Sequence, residues 1–220
     1  MKNLMILFLS VAMLGLVTSC SNSPKGEKTE ATAATGKAAA ASAAAKTYTV
    51  DTGASSITWT GSKPGGQHTG TIKLSKGTLS VKDGNIEAGN FTLDMNSIEV
   101  TDLKAGEGKE KLEGHLKTGD FFEVEKFPTG TFTITKVEAV AGGGDVTHNI
   151  TGDLKMKDVT KSITFGANVA AAGNALSAVT PAFKINRTEW GITYKSGIIG
   201  TLKDKAIHDE MALVINLQAK

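Results

Sequence analysis

The sequence predicts an all-β protein, an antiparallel barrel of eight strands interrupted by one short helical lid, and three observations carry that expectation. Among 220 residues there are 25 Gly, aromatics are 5%, and much of the rest is Thr, Val and Ile, a balance that favours pleated strands and turns over helices. From Thr47 onward apolar residues recur with period two, as in Phe91, Leu93 and Met95 alternating with Asn90, Thr92, Asp94 and Asn96. Turn chemistry separates the runs: Asp83-Gly84-Asn85 is a hairpin signal, and Gly142-Gly143-Gly144-Asp145 divides two later runs. Eight such strands close into a barrel that leaves no open edge and an interior just wide enough for a ligand; a two-sheet sandwich is the competing architecture.

The N-terminus reads as a targeting segment. Lys2 opens a charged region, Leu4 to Val17 is apolar, and Val17-Thr18-Ser19-Cys20 closes it with small residues, so residues 1–20 form an export signal. The apolar run is shorter than the ~20 residues a spanning helix needs. Val-Thr-Ser-Cys resembles a bacterial lipobox, which makes Cys20 a lipidation site and the protein a membrane-anchored lipoprotein of the bacterial cell envelope. As the single Cys, it excludes an internal disulfide and multi-Cys zinc frameworks. Residues 21–46 contain no Leu, Ile, Val or aromatic side chain and read as a disordered, Ala-rich tether spanning on the order of 28 Å.

Residues 47–220 are the barrel domain. Alternation recurs at Ile57 and Trp59, Ile72 and Leu74, Leu79 and Val81, Phe132 and Ile134, Ile163 and Phe165, and Met211 to Leu217. It places Trp59, Phe91, Leu93, Met95, Phe132, Phe165 and Phe183 on one inward face, the predicted wall of a ligand cavity. Between Leu103 and Thr118 the pattern changes: Leu112 and Leu116 stand at helical spacing among Glu and Lys, and Phe121 and Phe122 follow. Leu112, Leu116, Phe121 and Phe122 are therefore expected to form a lid over one end, against the plainer reading that the aromatics only complete the core.

Charge and motifs exclude several functions. A formal charge of +2 with no long basic run argues against nucleic acid. His68, His115, His148 and His208 are far apart and fit no metal spacing, so no metal is expected. Hydrolase elbows, phosphate loops and dinucleotide motifs are missing, and Asp120, Glu123 and Glu125 are sequence neighbours, not carboxylates facing across a cleft. The sequence thus predicts a protein that is not an enzyme and requires no cofactor. Arg187, in Ile185-Asn186-Arg187-Thr188-Glu189-Trp190, is placed either to stack on Trp190 or pair with a carboxylate, or to touch a ligand headgroup.

Tyr48-Thr49-Val50-Asp51, Met95-Asn96-Ser97-Ile98, Leu112-Glu113-Gly114-His115-Leu116, Asp120-Phe121-Phe122-Glu123-Val124 with Phe127-Pro128, Thr151-Gly152-Asp153-Leu154, Asp158-Val159-Thr160-Lys161, and Ile185 to Ile192 follow one another in that order. Together they resemble the YceI family, lipocalin-like isoprenoid-binding proteins of bacterial envelopes. The resemblance implies an extended lipocalin-like barrel holding an isoprenoid-type lipid, a quinone or polyprenyl chain, with Trp190 where the family pattern usually has Phe or Tyr. The expected partners are that lipid and, through lipidated Cys20, a membrane, with a homodimer left open. The alternative is a structural or stress-protective envelope module that works through a protein partner without bound lipid.

Overall fold

The computed structural model describes residues 23–142, 144–197 and 205–220; Cys20 and the export segment lie outside the described residues. Among the described residues the strands are β1 Glu27–Lys28, β2 Thr32–Ala33, β3 Lys46–Thr49, β4 Ser56–Lys63, β5 Gly66–Lys82, β6 Asn85–Val100, β7 Thr129–Ala139, β8 His148–Met156, β9 Val159–Ala172, β10 Ala175–Val179, β11 Phe183–Asn186 and β12 Glu210–Ala219, with one α-helix, α1, at Lys109–Lys117 and a 3-10 turn at Arg187–Trp190. Antiparallel pairing runs from β4 through β5, β6, β7, β8, β9 and β10 to β12, and β12 pairs back onto β4 with Leu213 opposite Trp59. Counting β3 with β4 and β10 with β11 as broken staves, the wall has eight strands and is closed, as the alternation predicts.

Tight turns set the register. Asp83 and Gly84 both have positive φ, 50° and 81°, between the paired residues Lys82 and Asn85, the geometry of a two-residue type I′ hairpin. At the lid end lie the Pro64–Gly65 turn, α1, the Lys157–Asp158 turn and residues 187–197 after β11; at the far end lie the other hairpins and the two ends of the barrel domain.

Inside, large rings cross strands that carry glycine. A Cβ added at Gly152 would lie 2.3 Å from the Phe132 ring, and one at Gly70 would lie 2.3 Å from the Trp59 indole. These glycines let aromatic side chains lie flat across a neighbouring strand. Phe132 passes over β8 at Gly152 to meet Phe165 of β9 at 5.5 Å, and Phe165 stacks on Phe183 of β11 at 4.6 Å.

The expected tether is instead a strap laid on the barrel. Glu27 and Lys28 pair in parallel with Phe183 and Lys184 of β11, and Thr32 and Ala33 pair antiparallel with Ser162 and Lys161 of β9. The Asp153 carboxylate on β8 accepts from the Thr35 amide, the Thr35 hydroxyl and the Gly36 amide at 3.1, 3.2 and 2.8 Å. Ala39 donates its amide to the Ile134 carbonyl of β7, and Glu87 of β6 accepts from the Ser42 amide and hydroxyl. The segment needs no core of its own, because the wall supplies partners for its backbone polar groups.

The strap covers a seam. The ladder between β9 and β10 ends at Asn168 and Val179. Thr180 then bonds to Ile215 of β12, Pro181 has no amide to donate, and β11 pairs with β12 while β2 takes the free edge of β9. Thr29 bridges the gap, donating its amide to the Lys184 carbonyl and its hydroxyl to the Thr164 carbonyl.

Candidate functional site: an apolar barrel cavity

The inward faces of the strands enclose a cavity of about 120 Å³. Every described residue lining it is apolar except Thr180, and none of them is charged. Of the residues predicted from sequence, Phe91, Leu93, Met95, Phe122, Phe132, Phe165 and Phe183 line it together. They are joined by Leu154 and Met156, and by Ile57, Ile163, Met211 and Ile215 from the alternating runs. Met is unbranched and adaptable, so the two additional Met side chains make this stretch of wall easy to deform.

Trp59 stands at the lid end, where it lines a smaller chamber of about 70 Å³ with Leu116, Phe121, Phe122 and Arg187. Ile72, Phe122 and Met211 border both spaces. Leu112 lies further out, in a surface groove shared with His115, Leu116, Phe121 and Tyr194. Phe121, Phe122 and Val124 are buried, whereas α1 itself buries no residue completely, so the lid is held chiefly by the segment after the helix. His115 bonds Asp120 at 2.8 Å and meets the edges of Phe121 and Tyr194, which braces that segment locally.

Arg187 and Trp190 stand apart from the main cavity. The guanidinium donates to the carbonyls of His208, Ile192 and Ile207 and to Asp209. Burial pushes its pKa down while Asp209 opposes the shift. Trp190 is fully buried and donates its indole N–H to the Leu154 carbonyl. Both fasten the connection between β11 and β12, and for Arg187 the Asp209 bond is the carboxylate-pairing alternative. Among the described residues, two buried side-chain atoms lack hydrogen-bond partners, Trp59 Nε1 and His148 Nε2. No group of residues suited to a metal occurs among the described residues.

A family model described as YceI-like domain matches residues 48–219. The chain belongs to the YceI-like family. A UPF0312 protein of Vibrio vulnificus is 31% identical over 126 residues, 54% of this chain and 58% of its own length. Protein YceI of Escherichia coli is 33% identical over 105 residues, 48% of this chain and 50% of its own length. These matches therefore span roughly half of the relatives' length. Among solved structures, BcnA of Burkholderia cenocepacia superposes with a TM-score of 0.62 at 20% identity, covering 78% of this chain and 99% of its own. A polyisoprenoid binding domain from Saccharophagus degradans, implicated in plant cell wall breakdown, gives 0.54 at 15% identity over 79% and 97%. At these identities the likeness is one of fold.

Proposed function

We propose that this YceI-like protein is an envelope lipoprotein that binds a long apolar lipid of isoprenoid type, a quinone or polyprenyl chain, in its barrel for carriage, storage or sequestration. The supporting observation is the cavity wall, apolar throughout except for one hydroxyl. Such a wall recognises a chain by area and shape, each buried methylene contributing ~0.8 kcal/mol. The polyisoprenoid-binding description of the Saccharophagus neighbour points the same way. No catalytic step is assigned.

A volume of 120 Å³ suits a group of about benzene size, so a long chain requires the Phe and Met side chains to turn aside. That volume also favours a second reading, a barrel filled by its own side chains that acts through a protein partner. Organic extraction of protein purified from its own membranes, followed by mass spectrometry, separates the two. A stoichiometric prenyl lipid supports binding; extracts without lipid, together with no affinity for prenols of 10 to 40 carbons, overturn it.

A further inference from the structure

We propose that residues 23–36 are a removable stave, and that an apolar chain passes into the cavity through a lateral portal between β9 and β11 instead of under the lid. The inference rests on the lipid-binding reading above. Along the lid-end half of β9, no barrel strand pairs with the edge that faces β11; β2 and the Thr29 bridge take that place. Behind them the wall is reduced to two rings. Phe165 and Phe183 stack face to face across the seam, and both border the inner cavity as well as an outer groove of about 480 Å³ beneath the strap. They are the partition between inside and outside, and turning them aside breaks no ladder between β9 and β11.

The strap is suited to leave. From Ser23 to Gly36 it carries no apolar side chain larger than Ala or Pro24, so the strap itself contributes little apolar surface to the contact. Its hold is polar: Glu27 to the Ala182 carbonyl at 3.2 Å, Thr29 to Lys184 at 2.8 Å, and the Asp153 carboxylate on Thr35 and Gly36. Water replaces such bonds at small net cost, which is the signature of a segment that opens locally. The lid end contrasts with this, because raising it extracts Phe121, Phe122 and Val124 from the core. At the far end Tyr48 reaches across to the Gly173 carbonyl.

The test uses the full chain and tritiated geranylgeraniol, a 20-carbon prenol. In a Cys20→Ser background, Thr32→Cys with Ser162→Cys places a disulfide at register partners of strap and wall. Locking should slow uptake and release of the prenol together by tenfold or more, leave the equilibrium affinity unchanged, and be reversed by dithiothreitol. Asp153→Ala, outside the cavity, should instead speed both severalfold, and the amides of Glu27, Thr29 and Gly36 should exchange with deuterium at least a hundredfold faster than those of β8. Rates indifferent to both the disulfide and Asp153→Ala, or strap amides that exchange only on global unfolding, would overturn the portal. A wild-type chain that binds no prenol although its strap opens locally would show that the lipid-binding reading itself is wrong, and the portal falls with it.

Discussion

At Gly152 a single methyl group decides where an aromatic ring can lie. Gly152→Ala brings a Cβ against Phe132 and the Thr133 carbonyl, so Phe132 must swing into the cavity and lose its approach to Phe165. Overpacking of this kind costs about 1–3 kcal/mol; thermal melts should show that loss, and prenol titration should show weaker binding. His148 offers a test by pH. Burial holds its imidazole below the ordinary value, so the fold favours the neutral ring. That stability is complete above the unfolded pKa of about 6.5 and is lost as pH falls toward the depressed folded value. His148→Leu should therefore gain on wild type in melting temperature between pH 8 and pH 5; an unchanged difference across that range counts against this account.

Elements differ in how much of them the sequence could reveal. The staves are legible because one buried face and one wet face impose period two, which is why Phe91, Leu93, Met95, Phe132, Phe165 and Phe183 meet at one cavity. The strap is illegible for the complementary reason: its fixation is backbone to wall, through residues such as Asp153 and Glu87 whose position opposite Thr35 and Ser42 exists only after folding. Arg187 lies between these cases, since its need for partners is visible in the sequence while three of the acceptors are backbone carbonyls brought from Ile192, Ile207 and His208. In the lid segment Phe122 belongs to the core as well as the cavity, so Phe122→Ala should cost about 3–5 kcal/mol, read by urea denaturation. Where β11 meets β12, Lys184 bonds Glu210 at 2.6 Å and holds that carboxyl below its usual value. The pair's contribution is complete above the unfolded pKa of about 4.3 and fades as pH falls through the depressed value, so Glu210→Gln should lower the melting temperature at pH 7 and make little difference at pH 2.

For the whole molecule, the strap changes what an anchor at Cys20 means. If Cys20 is acylated, Cys20→Ala should move the protein from the membrane fraction to the soluble one, since stable attachment needs more than one acyl chain. The free leash is then not 26 residues. Ser23 already touches Glu210 on β12, three peptide steps from Cys20 and so at most about 10 Å of chain. With the strap docked, an acylated Cys20 would hold the barrel close to its own bilayer. Any pull between barrel and bilayer acts first on the strap, peeling it from Ser23 inward and paying out line as it uncovers the seam. Mechanical load at the mooring and opening of the wall would then be one motion.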